Sequence, residues 1–147
     1  MRLFLGGSLI QHIHNYEEHS GGKQRTVTVK KNSKMEFWLK ETQIKVKCYH
    51  HQAIEKKGVN IEPVVYDSEG IIHGIELNEP GRWVVGVQWH PERSLDDKNR
   101  AIIREFVRQA QMYKFMKIIV ILICVVVLAT GNRNENMNGN GKDRKAQ

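Results

Sequence analysis

The stretch Gly86-Val87-Gln88-Trp89-His90-Pro91-Glu92 decides how this chain is read. Val84, Val85 and Val87 lead into it as an apolar strand that ends in a core. His90 then sits at the mouth of that strand, and the buried residues behind it hold the ring still. Pro91 restricts the backbone immediately afterwards. Glu92, two residues on, can curl back and accept a hydrogen bond from one ring nitrogen. That contact sets the tautomer and supports the imidazolium when the other nitrogen takes a proton. A base held in this way is what a cysteine or serine nucleophile needs. His-x-Glu spacing alone also suits a structural histidine, so the surroundings have to decide.

The next informative stretch upstream is Tyr49-His50-His51-Gln52-Ala53-Ile54, again at the end of an apolar run. Tyr49, His50, His51 and Gln52 offer donors and acceptors able to grip a polar amide or amino-acid substrate. Taken alone, the segment reads as a polar strand-to-helix turn. Four strand-like runs surround these two motifs: 44–48, 61–66, 71–77 and 83–88. The second and third are joined by Asp67-Ser68-Glu69-Gly70, in which Gly70 adopts a positive φ cheaply, so a β-hairpin is expected. Beyond the motif, Asp96 and Asp97 precede a helical pattern. Ile102, Ile103, Phe106, Val107 and Ala110 recur at steps of three and four, with Arg104, Glu105 and Arg108 facing outward. An aspartate at its start can cap the free amides of the first turn.

Towards the N-terminus, Arg25-Thr26-Val27-Thr28-Val29 alternates like a strand. Met1 to Gly7 reads as the end of an apolar helix stopped by Gly6 and Gly7. Residues 11–24 read as a polar loop. Phe37, Trp38 and Leu39 are expected to anchor the mixed segment 30–42 to the core. His12, His14 and His19 are read as loop histidines, because a metal site would need more ligands in a defined geometry.

The chain has 147 residues, 40% hydrophobic and 27% charged, which suits one modest globular domain. Twenty-three Lys and Arg against sixteen Asp and Glu leave a net charge of +7, but the two signs are interspersed. With no aromatic-and-basic motif and no zinc-finger spacing, nucleic acid is not expected as a partner. Cys48 and Cys124 stand far apart in unlike contexts, which argues for a reduced, cytoplasmic setting without a disulfide framework.

Residues 112–131 form an apolar segment. Its core from Ile118 to Ala129 rises about 18 Å as a helix, short of a hydrocarbon layer of roughly 30 Å. Snorkelling of Lys114 and Lys117 keeps a membrane helix open as a reading. Met116-Lys117 before a short apolar run also suits a secretory signal in a second, fused frame. A segment packed on the domain is the third alternative. Residues 132–147, rich in Asn and Gly, read as a disordered tail.

Together, Leu3-Phe4-Leu5-Gly6-Gly7-Ser8-Leu9-Ile10-Gln11-His12-Ile13, Cys48-Tyr49-His50-His51-Gln52-Ala53-Ile54, Asp67 to Glu76 and Val84 to Glu92 occur in one order at family-like spacing. The chain closely resembles the class I glutamine amidotransferase-like superfamily. It is most similar to the branch of γ-glutamyl hydrolases and γ-glutamyl-γ-aminobutyrate hydrolases, the C26 peptidase group. The resemblance covers residues 1–111 as a partial domain. It implies an α/β, flavodoxin-like fold, here the C-terminal part of a mostly parallel sheet with an added hairpin.

The resemblance also implies hydrolysis of a γ-glutamyl amide through a thioester, by a Cys-His-Glu triad and with no cofactor or metal. The roles of proton carrier and orienting acid map to His90 and Glu92. Tyr49, His50, His51 and Gln52 become the candidate contacts for a small γ-glutamyl substrate. In relatives the nucleophilic cysteine sits in an elbow shortly before the Gly-Gly pair that corresponds here to Gly6 and Gly7. Its position therefore falls before Met1, and the early strands fall there too. Cys48 lies in a strand without an activating partner in sequence, and Cys124 lies in the apolar run, so neither is expected to substitute. A disarmed hydrolase domain is expected, with an exposed sheet edge that invites a partner chain. The alternative is an inactive, membrane-tethered fragment that binds a glutamyl ligand or a protein partner.

Overall fold

A computed structural model describes residues 6–94 and 96–114. Their elements are β1 (Ser8–Ile10), a 3-10 turn (Tyr16–His19), β2 (Lys23–Val29), α1 (Lys34–Leu39), β3 (Gln43–Cys48), β4 (Ala53–Lys56), β5 (Ile61–Asp67), β6 (Ile72–Leu77), β7 (Val85–Val87) and a second 3-10 turn (Pro91–Arg93). A second helix, α2, covers 97–114. Five strands form one sheet in the order β3-β2-β5-β6-β7, and β1 pairs with β4. Tertiary contacts divide the chain into two units between Phe106 and Val107.

Every strand pairing in the described residues is antiparallel, which corrects the expected mostly parallel sheet. The reason lies in the connections. Only residues 68–71 join β5 to β6, and only 78–84 join β6 to β7. A parallel crossover needs a dozen residues or more. The hairpin expected at Asp67 to Gly70 forms: Gly70 has φ +79° and donates its amide to the Asp67 carbonyl at 3.2 Å.

Alternation builds the core. Val27 and Val29 of β2 and Ile44, Val46 and Cys48 of β3 point to one face, where Met35 and Leu39 of α1 cover them. Val64, Val65 and Trp89 complete the cluster, and Ile102 of α2 packs on its edge. Each fully buried aliphatic side chain contributes about 1.5–3 kcal/mol. Gly74 of β6 lies opposite Val65, and a Cβ there would stand 2.6 Å from Val65 Cγ2. Glycine is what lets β5 and β6 close over that valine.

Three sequence expectations are corrected. Phe37 does not anchor to the core but faces solvent at 78% exposure; Leu39 is buried and Trp38 packs beside it. The short helix α1 explains this, since only its Met35–Leu39 face meets the sheet. Ile103, Phe106 and Val107 of α2 are exposed, so its buried stripe is narrower than the periodicity implies. Residues 11–24 carry more structure than a loop, with a 3-10 turn and the first residues of β2. Met1 to Leu5, the bulk of segment 112–131, Cys124 and tail 132–147 lie outside the described residues. Among the described residues, no helix is long and apolar enough to cross a membrane.

The start of α1 is satisfied from a distance. Glu76, buried on β6, accepts hydrogen bonds from the Met35 amide at 2.6 Å and the Lys34 amide at 3.1 Å. Ser33 Oγ takes the Glu36 amide at 3.0 Å, so the free amides of the first turn are shared between a local and a long-range cap. Replacing Glu76 by alanine strands one buried amide, Met35, and one half-buried amide, Lys34. Glu76→Ala is expected to destabilise the chain by about 1–3 kcal/mol in urea unfolding, whereas an exposed-site control such as Glu55→Ala stays near wild type.

Candidate functional site

His90 owes its position to Trp89. The indole is buried and donates from Nε1 to Asn99 Oδ1 at 3.0 Å. Asn99 is held in turn by Asp96, whose carboxylate accepts from the Asn99 amide at 2.9 Å, from its Nδ2 at 2.9 Å and from the Lys98 amide at 3.1 Å. Asp96 therefore caps α2 and fixes Trp89 through one intermediary. Because the chain is extended here, the next residue must point the other way, and His90 turns out of the core.

The turn Pro91–Arg93 then folds Glu92 back, with the Arg93 amide on the His90 carbonyl at 3.1 Å. Nδ1 of His90 lies 2.7 Å from Glu92 Oε1. A carboxylate only accepts, so Nδ1 carries the hydrogen and Nε2 is left free to take a proton. The same hydrogen bond holds the Glu92 carboxyl below the usual carboxylate range. Both side chains are exposed, His90 at 39% and Glu92 at 62%. An exposed pair adds little to stability, so its value is in orienting the ring.

Tyr49 stands beside this pair. Its ring meets the His90 ring edge-on at 5.2 Å between centroids, and the Arg93 guanidinium lies over it at 4.3 Å. Gly22 makes room for it: its φ is +81°, and a Cβ there would fall 2.4 Å from the Tyr49 hydroxyl. A cavity of about 420 Å³ opens next to these rings, with Tyr49, His50, His73, Gln88 and His90 on its polar side and Leu9, Ile54 and Ile75 among its apolar walls.

The structure separates the four residues of the Tyr-His-His-Gln segment. Tyr49 and His50 share the cavity with His90. His51 is exposed and stacks loosely with His12 in a neighbouring depression. Gln52 works mainly through its backbone: its carbonyl accepts from His50 Nδ1 at 2.9 Å and from Gln88 Nε2 at 2.7 Å, while its side chain donates to Gln11.

Sequence reasoning missed the residues beneath the cavity. His73 of β6 and His19 of the first turn are buried, and their rings stack at 5.5 Å. His50 meets both rings edge-on, at 5.0 Å and 5.3 Å. Cys48 lies in the same cluster. The pattern Cys48-x-His50 was visible in sequence, but nothing local ties it to His19 or His73.

Asp67, with a fully buried side chain, borders the cluster. Its Oδ2 is 3.4 Å from His19 Nε2 and 3.6 Å from His73 Nε2, and it accepts from Arg25 Nη2 at 2.9 Å. Burial opposes its ionisation, but Arg25 and the Ile71 and Glu69 amides overcome this and hold its carboxyl below the ordinary value. Burial also lowers His19, His50 and His73, the last to about 4, and pushes the Cys48 thiol up to about 11. Cys48 is the one cysteine among the described residues, and a thiol in that state is a poor nucleophile at neutral pH.

Comparisons place this geometry among known proteins. A family model described as Peptidase C26 matches residues 1–92. A "Putative glutamine amidotransferase" of Mycobacterium tuberculosis is 36% identical over 105 residues, which cover 66% of this chain and 33% of that protein. Protein NtpR of Enterococcus hirae is 27% identical over 121 residues, covering 74% of this chain and 50% of that one. The chain thus spans a third to a half of the length of these curated relatives. The fold is similar to the crystal structure of a "putative gmp synthase subunit a protein" from Thermoplasma acidophilum. That match has a TM-score of 0.60 at 19% identity and covers 76% of this chain and 52% of that chain.

Two outcomes follow from the geometry. Gly22→Ala is expected to displace the Tyr49 ring from His90, seen as lost cross-peaks between the two rings by NMR, with the sheet retained by circular dichroism. Stability is expected to fall with acid. The folded chain keeps His73 neutral down to about 4, whereas the unfolded chain protonates it near 6.5. The unfolded state then binds more protons in that window, so stability present above about 6.5 is lost as pH drops towards about 4. The share of His73 is on the order of 3 kcal/mol, and His19 and His50, also lowered by burial, act in the same direction. Urea unfolding in a chelating buffer at several pH values measures it, and His73→Gln flattens the dependence.

Proposed function

The chain belongs to the peptidase C26 family, and from this premise we propose that it carries the proton-transfer and substrate-pocket half of a γ-glutamyl amide hydrolase. The observation that carries the reading is the 2.7 Å His90–Glu92 pair at the rim of a cavity shared by Tyr49 and His50. In this reading Glu92 orients the ring. His90 Nε2 takes the proton of a cysteine thiol as the sulfur attacks the amide carbonyl, and the same proton then passes to the leaving amine. A water deprotonated by the same nitrogen cleaves the thioester. Tyr49 and His50 line the pocket for the glutamyl group. Gln52 holds His50 and Gln88 in place, and His51 meets only the outer part of a substrate.

The attacking sulfur is not Cys48, which is buried in another cluster with its thiol pushed up to about 11. We propose that a separate segment bearing a Gly-x-Cys-x-Gly elbow supplies it. That segment would complete the site from outside this sequence, and β7, an edge strand of the sheet, is where added strands would pair.

The test uses the full chain with a chromogenic γ-glutamyl amide. The chain alone is expected to release no amine above background, because removing the nucleophile leaves its partners with little to do. It is expected to bind glutamine or a γ-glutamyl amide, with NMR shifts at Tyr49, His50 and His90 that His90→Gln reduces. Turnover at about 1 s⁻¹ or faster by the chain alone would mean that it holds its own nucleophile. Absence of any shift at these three residues would remove the pocket assignment.

A further inference from the structure

Beneath the cavity, His19, Cys48, His50 and His73 each bring one ligand-type atom to a common point, all within 4.8 Å of one another. His19 and Cys48 are fully buried and His73 is 1% exposed. Nδ1 of His19, Nδ1 of His73 and Nε2 of His50 are buried without a hydrogen-bond partner, and Nε2 of His19 and of His73 meet only the Asp67 carboxylate, at 3.4 and 3.6 Å. A neutral imidazole has one N–H and one lone pair, and burying three such rings side by side with these groups unmet is costly. A cation at their centre would take the lone pairs and remove that cost.

The ligand set has the chemistry of a closed tetrahedral zinc site. Zn–N bonds of about 2.0–2.1 Å and a Zn–S bond of about 2.3 Å put neighbouring ligand atoms roughly 3.3–3.7 Å apart. Closing from a spread of up to 4.8 Å takes ligand-atom shifts of about 1 Å. An outer shell is already in place. His50 Nδ1 is committed to the Gln52 carbonyl at 2.9 Å, which leaves Nε2 as the ligand atom. Asp67 faces Nε2 of both His19 and His73 from 3.4 and 3.6 Å, and Arg25 and two turn amides hold it there. Carboxylates and carbonyls in these positions orient metal-bound imidazoles. One thiolate with three imidazoles suits Zn²⁺, whereas hard, oxygen-seeking cations find only the Asp67 and Glu69 carboxylates, both already paired with Arg25.

We propose that His19, Cys48, His50 and His73 form a buried four-ligand Zn²⁺ site that ties the first 3-10 turn and the end of β3 to β6. With all four positions filled by protein, the ion has no open site for substrate, and its role is structural. It would hold the Tyr49–His50 segment beside His90. The site does not rest on the amide chemistry proposed at His90, although it shares His50 with that pocket.

Cobalt substitution tests this on the full chain, stripped with a chelator and titrated with Co²⁺. The expected result is a single tight Co²⁺ with intense tetrahedral visible bands and a thiolate-to-cobalt charge-transfer band, both displaced by Zn²⁺. Cys48→Ser should abolish the charge-transfer band, and Zn²⁺ should bind at least ~100-fold more weakly to Cys48→Ser and His73→Ala. A His12→Ala/His14→Ala double variant, which alters only exposed histidines, should match wild type. A weak octahedral spectrum without charge transfer in the folded wild-type chain overturns the proposal, and this needs no variant to fold. Loss of binding in the His12/His14 variant, or an unchanged spectrum in a Cys48→Ser chain folded by circular dichroism, also overturns it.

Discussion

The buried carboxylate of Asp67 is the constraint to which the site-forming elements answer. A charge without solvent must be matched where it stands. Arg25 matches it from β2, while the Glu69 and Ile71 amides cap its other oxygen from the β5–β6 turn. His19 and His73 approach it from the first 3-10 turn and from β6. Two stretches distant in sequence, 19–25 and 67–73, are therefore held to one point. Arg25 is itself only 15% exposed and is shared with Glu69, so neither member of the central pair can be removed cheaply.

A second, simpler device sets the rim of the cavity. Trp89 goes inward and is bonded to Asn99 at the start of α2, so His90 must go outward. The Pro91–Arg93 turn then delivers Glu92 to the ring. Packing thus supplies the direction and a tight turn supplies the partner.

The two histidine environments contrast although they share a wall. His90 is wet and paired with an acid, a state suited to moving protons. His19 and His73 are dry, face Asp67 through Nε2 and have no partner at Nδ1, a state suited to ligation. His50 belongs to both, lining the cavity with its exposed part and offering Nε2 to the cluster. Burial rather than residue type separates the two kinds of chemistry.

Much of this was legible along the chain because the forces involved are local. The alternation in β2 and β3, the hairpin at Gly70, the capping aspartate of α2 and the return of Glu92 to His90 each act over a few residues, and each appears in the structure. The direction of the strands was not legible in the same way. Apolar alternation reads alike in parallel and antiparallel sheets, and the length of the connections decided for antiparallel. Phe37 likewise shows that an apolar residue on a short helix can face either way until the sheet arrives. The gathering of His19, Cys48, His50 and His73 around Asp67 was invisible in sequence. Their spacing carries no period, and only the register of β3, β2, β5 and β6 brings them together. Sequence by itself determined the motifs and the elements that carry them, since side-chain patterning and turn chemistry are short-range. Tertiary structure alone decided which of those residues meet, since burial and long-range pairing set both distance and protonation.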